Sequence, residues 1–170
     1  MKNIFSNKLQ AQQGFTLLEI LLVIALIAIL AGIIVVAINP AKQLTTGRNV
    51  QRQSDVNTII DAVYQYTIDN NGPLPTGIPS VADCSTACKT IAATNEVCKL
   101  TATGTCSSGV DLSALTTNAK YLVAIPVDPT VSDTDGSGYY ICKDSTSGTV
   151  TVCAPSTETA YGASIFSATK

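Results

Sequence analysis

Gln13-Gly14-Phe15-Thr16-Leu17-Leu18-Glu19 opens the stretch that decides the fold, and Ile20 to Ile38 complete it without a charged or strongly polar side chain. At about 1.5 Å per residue the apolar run makes a helix roughly 28 Å long, close to the hydrocarbon thickness of a bilayer. Glu19 stands at its head. A carboxylate held at mid-depth in lipid costs on the order of 3 kcal/mol. The run itself offers no counter-charge, so a partner for Glu19 has to arrive from elsewhere.

Upstream, residues 1–14 carry Lys2 and Lys8 and no acid. Positive charge before an apolar run places that side in the cytoplasm. A secretory signal starts the same way, but its apolar core is shorter and ends in a small-residue cleavage site. Here the core runs on to Asn39-Pro40 with no Ala-x-Ala step. An anchor that is never cut is the plain alternative.

Gly14-Phe15-Thr16-Leu17-Leu18-Glu19, followed by Ile20 to Ile38, resembles the class III signal of type IV pilins and pseudopilins. The resemblance covers about the first third of the chain. It implies cleavage between Gly14 and Phe15 by a prepilin peptidase, then N-methylation of the new amine on Phe15. Loss of Lys2 and Lys8 leaves a more acidic mature chain. The resemblance also implies a pilin fold of α+β class, a long helix laid on a C-terminal antiparallel sheet of three to five strands. Its expected partners are identical subunits in a helical filament, the peptidase/methyltransferase, and an inner-membrane assembly platform. A separate ATPase would drive assembly, because this chain has no nucleotide-binding Gly-rich loop. In a bundle of such helices the Phe15 amine of one chain can neutralise Glu19 of a neighbour. A charge pair in low dielectric depends on good geometry, so it sets axial register.

Composition narrows the field. Among 170 residues 13% are charged and the net charge is -2, with no His and no Trp. The charged share is about half the usual one. No basic excess marks a nucleic-acid footprint. Without His the commonest acid–base group and metal ligand is missing. All six Cys lie beyond Asp83, a distribution that suits disulfides in an oxidising compartment.

The expected organisation is a leader over 1–14, a transmembrane and filament-core helix over 15–40, an amphipathic helix over 41–70, and a Cys-containing globular domain over 71–170. Gly32 and Asn39-Pro40 predict a bend or local melting between Gly32 and Pro40. A simple Pro kink explains the same residues. Beyond it, Val56, Ile59, Ile60, Val63 and Thr67 recur at helical spacing, flanked by Tyr64 and Ile68. Arg48 and Arg52 then read as solvent-facing, or as partners for acids on neighbouring subunits. Asn70-Asn71-Gly72-Pro73 closes the helix.

Four Cys follow in a Ser/Thr-rich stretch. Cys84-x-x-x-Cys88 is a poor zinc site, since no second tight pair exists. Six Cys allow 15 pairings. Nesting favours Cys88–Cys98 inside Cys84–Cys106, with a short helix through Thr90, Ile91 and Ala92. Asp111 to Leu122 reads as a helix through Leu112, Leu115 and Ala119. Tyr139 to Cys142 and Val150 to Cys153 read as a hairpin across residues 144–148. If Asp144 pairs with Thr149, Cys142 faces Thr151 and Cys153 is its diagonal neighbour, which favours Cys142–Cys153. Residues 163–167 supply a third strand. The Tyr121 to Pro129 string, with Tyr139-Tyr140 after it, also looks like the lead-in to the sheet of major pseudopilins and small pilins.

One cofactor has a place in the sequence. Residues 133–144 resemble an EF-hand calcium loop, offering Asp133, Asp135 and Ser137 with Asp128 or Asp144. The same string reads equally as a polar turn entering a strand. No nucleophile–base constellation presents itself, so the chain is read as no enzyme. The expected function is a structural subunit of a type IV pilus, serving adhesion, twitching motility or DNA uptake. A pseudopilin of type II secretion is the alternative. The precursor is expected in the inner membrane with its C-terminal domain outside. The assembled form is expected in an extracellular pilus or a periplasmic pseudopilus.

Overall fold

The structure is a computed structural model that describes residues 14–88, 93–99, 109–132, 135–161 and 163–170. The chain divides into two compact units, Met1–Ala41 and Lys42–Lys170. In the first, helix α1 spans Leu17–Ile38 and runs unbroken through Gly32. Its stop is local: Asn39 adopts a left-handed backbone at φ 45°. The sequence predicted a disturbance anywhere from Gly32 to Pro40, and the break falls at Asn39. Residues preceding proline are pushed out of the helical region, and Asn tolerates the left-handed one.

Helix α2, Pro40–Asp69, begins on proline, whose missing N–H costs nothing at a helix start. The second unit takes it from Lys42 onward. Its buried residues are Thr45, Asn49, Arg52, Val56, Ile59, Ile60 and Val63 in one stripe, with Ala62 beside it. At the far end Gly72 N–H donates to the Thr67 carbonyl and Asn71 N–H to that of Ile68. Asn71 at φ 59° completes a Schellman cap.

The apolar half of that stripe packs on a sheet. Its strands are β1 (Ser80–Val81), β2 (Glu96–Cys98), β3 (Gly136–Asp144), β4 (Val150–Ala154) and β5 (Phe166–Thr169). The order is β1-β3-β4-β5, with β2 also paired to β3. The arrangement is α+β and rich in antiparallel pairs, although β1 runs parallel to β3. In the expected hairpin, Cys142 faces Thr151 and Asp144 N–H donates to the Thr149 carbonyl. The third strand starts at Phe166, later than residues 163–167 suggested. Alternation then sorts the faces. Tyr139, Ile141, Val150, Val152 and Ala154 join Val56, Ile59, Ile60 and Val63 in the main core. Tyr140 and Cys153 lie on the opposite face with Cys88.

That second face carries the disulfides. Cys84, on the short helix α3 (Cys84–Ala87), bonds Cys142, and Cys88 bonds Cys153. This corrects the expected Cys142–Cys153, Cys88–Cys98 and Cys84–Cys106 pairs. Diagonal neighbours in a hairpin stand about 7–8 Å apart, beyond the usual span of a bridge. Residues four apart on a helical turn share a side, so Cys84 and Cys88 reach both strands together. Cys98 is disulfide-bonded as well. Cys106 and the helix expected through Thr90, Ile91 and Ala92 lie outside the described residues. The helix expected over 111–122 is shorter: α4 spans Ser113–Thr116, followed by a 3-10 turn. Leu112 and Leu115 are fully buried, whereas Ala119 is exposed at φ 52°.

Gly138 sits at φ 81°, and a Cβ there would stand 2.7 Å from Asp128 Cβ. Gly138→Ala is expected to lower stability by at least about 1–2 kcal/mol, combining backbone strain with displacement of Asp128. Gly136→Ala should cost less, because its φ is not left-handed and the atoms it would meet belong to the Glu96 carboxylate, whose displacement costs its hydrogen bond from Gly138 N–H rather than a backbone shift. Urea unfolding of the two full-length variants in detergent checks the order; a larger loss at Gly136 would refute it.

Candidate assembly site

The first turn of α1 is built by Thr16. Its hydroxyl oxygen accepts the Glu19 N–H at 3.2 Å, and its carbonyl accepts from Glu19 at 3.1 Å and Ile20 at 3.3 Å. Thr16 is thus the N-cap and Glu19 the third helical residue. The Thr-x-x-Glu spacing is a capping-box signal that was legible in the sequence and went unread there. The positive end of the helix dipole favours a carboxylate in this turn by about 0.3–1 kcal/mol. Among the described residues, the Glu19 carboxylate takes no hydrogen bond or ion pair. Phe15 is 79% exposed just before the cap. Every residue of α1 is exposed. Long apolar side chains such as Leu21, Ile24, Ile27 and Val35 are therefore exposed in the described structure. By length and composition α1 can cross a membrane.

Residues 9–35 match the family described as the prokaryotic N-terminal methylation motif. The chain carries a class III signal. A search of curated proteins and one of solved structures give no match. The methylation motif supports a type IV pilin or pseudopilin in general and indicates a structural subunit. It implies processing by prepilin peptidase and use of a membrane assembly machinery in general. Together with the apolar helix, it is consistent with a membrane-anchored precursor.

The methylation motif and the calcium candidates belong to different units. Asp133 and Thr134 lie outside the described residues. Asp144 ends β3, nine residues beyond Asp135, and an extended strand separates the two by about 30 Å. Its carboxylate instead accepts the N–H groups of Thr146 and Ser147 in the hairpin loop, which hold its pKa below the ordinary value. Asp128 N–H donates to the Ser137 carbonyl at 2.8 Å, but its carboxylate is already paired with Arg52. Ser137 Oγ accepts the Tyr139 N–H. Asp144 is thus too far from Asp135 to share a cation with it, and no cluster of three or more metal-ligating side chains occurs among the described residues.

Arg52 corrects the other sequence reading. It is fully buried, not solvent-facing, and lies on the core stripe of α2. Its Nε and Nη2 donate to the two oxygens of Asp128 at 2.6 and 3.1 Å, and Nη2 also donates to Thr130 Oγ1 at 2.8 Å. Its Nη1 donates to Asn49 Oδ1 at 2.9 Å and to Glu158 at 3.2 Å. Glu158 also accepts from Arg48 at 2.5 and 2.8 Å and from Thr45 at 3.0 Å. The spacing Thr45, Asn49, Arg52, Val56 was the available signal; charge at Arg52 masked it.

These contacts fix a pH response. The Arg48 hydrogen bond, opposed by burial and assisted by Thr45 and Arg52, holds Glu158 down at about 2. Burial pushes Asp128 up, but hydrogen bonds from Arg52 and Thr130 outweigh it and its pKa is lowered. Depressed carboxyls stabilise the fold fully above their unfolded pKa values, because there both states are ionised. As pH falls from the ordinary 4.5 of Glu158 toward 2, the unfolded chain takes up protons first and stability drains away. Melting temperature should be flat above that window and fall within it, with a shallower fall for Arg48→Ala. An equally steep fall in that variant would show that Glu158 is not its source.

Proposed function

We propose that the chain is the structural subunit of a type IV pilus, polymerising through α1. The observation that carries this reading is an apolar helix with every residue exposed, directly behind a methylation motif. Such a surface is stable in lipid, or in a bundle of identical helices; in water it drives association at about 25 cal/mol per Å². On this reading Gly14 and Phe15 flank the cut, Phe15 carries the methylated amine, and Glu19 sets axial register. Residues 1–14 are the leader, and residues 71–170 face the exterior after assembly.

Shearing filaments from cells and weighing the chain tests the proposal. Abundant chain in long filaments, beginning at methylated Phe15, supports a pilus. Mature chain confined to the envelope supports a pseudopilus instead. Glu19→Ala is expected to be processed normally yet to lower filament yield about tenfold, the scale of one charge-assisted contact. The cap survives this change because it uses the Glu19 backbone N–H. Unchanged filament yield would remove Glu19 from the register role.

A further inference from the structure

Lys143 is out of place in the sheet pattern. It follows Tyr139 and Ile141 on the face turned to α2, opposite the buried Val150. Its side chain is half-buried, and among the described residues its ammonium has no carboxylate or hydrogen-bond partner. The nearby acids are engaged: Asp144 caps the hairpin N–H groups, and Asp61 pairs with Lys170. Lys143 lines a cleft of about 360 Å³ between α2, residues 72–74 and the start of β4. Ile60, Val63, Leu74 and Val150 make its apolar wall. Lys170 lies on the rim with its ammonium over the Tyr64 ring at 5.3 Å.

We propose that this cleft binds an amphipathic carboxylate, a small organic acid with an aromatic or branched-alkyl body. Its body rests on the apolar wall and its carboxylate meets Lys143. A cleft near 300–400 Å³ with an apolar wall and one convergent charge has the size and character of a small-ligand site. The charge selects the ligand: of the two lysines in the lining Lys170 is paired with Asp61, Lys143 has no acid partner among the described residues, and no carboxylate side chain lines the cleft. An inorganic anion would leave the apolar wall wet, and a neutral hydrocarbon would leave Lys143 unpaired. The inference is independent of filament assembly, since every lining residue belongs to the second unit.

The test uses the full chain, methyl-labelled, in lipid nanodiscs, with 4-phenylbutyrate as probe and the methyl signals of Val63, Leu74 and Val150 as readout. Saturable shifts are expected with a midpoint near or below about 1 mM. The neutral 4-phenylbutyramide, and 4-phenylbutyrate on Lys143→Met, should each bind about tenfold more weakly, while Lys143→Arg keeps the affinity. Acetate should give no saturation. Methionine retains the apolar stem, and native dispersion of the remaining methyl signals confirms folding. Shifts that never saturate, equal binding by Lys143→Met, or equal binding of acetate would each overturn the proposal.

Discussion

Replacing Asp128 with Ala is expected to cost about 3–5 kcal/mol of stability, because it strands the Arg52 guanidinium in the core. Both side chains of this pair are 0% exposed, so water cannot take over the lost contact. Glu158 still touches Arg52 Nη1 at 3.2 Å and holds the loss toward the lower end. Asp128→Asn should be milder, since the amide oxygen still accepts from Thr130. The double change Arg52→Met with Asp128→Leu should recover most of the loss, because an apolar pair removes the desolvation penalty along with the charges. Urea unfolding of the full-length chain in detergent gives all three values. A single-variant loss below about 0.5 kcal/mol, typical of a surface site, would show that the pair is not buried.

A bulky residue at Gly14 is expected to block maturation. Nothing lies within 4 Å of a Cβ built at Gly14, so the chain itself has room for a side chain there. Any effect of Gly14→Leu must then come from the enzyme that approaches the backbone. Cleavage should fall roughly 100-fold, the scale on which an enzyme pocket rejects a misfit group. Intact-mass measurement on membranes should find the uncut chain, and sheared filaments should lack it. A chain beginning at Phe15 in the variant would refute cleavage at this bond.

Helix α1 was legible in the sequence. An uninterrupted apolar run forms a helix of bilayer length wherever it is placed, and the motif around Gly14 and Glu19 is contiguous in the chain. Local signals also carried the end of α2 at Asn71-Gly72 and the register of the β3–β4 hairpin. The capping role of Thr16 was equally local and lay in plain Thr-x-x-Glu spacing.

What the sequence by itself determined, then, was everything set by neighbours along the chain: the apolar helix with its processing motif, the amphipathic α2, and the hairpin register. Tertiary structure alone decided the disulfides and the fate of Arg52. Cys84 and Cys142 are 58 residues apart, and Arg52 and Asp128 are 76 apart. Their pairing depends on which helical turn lies over which strand. Burial can reverse the meaning of a charged residue once a distant acid is brought to it, and chain order carries no record of that distance.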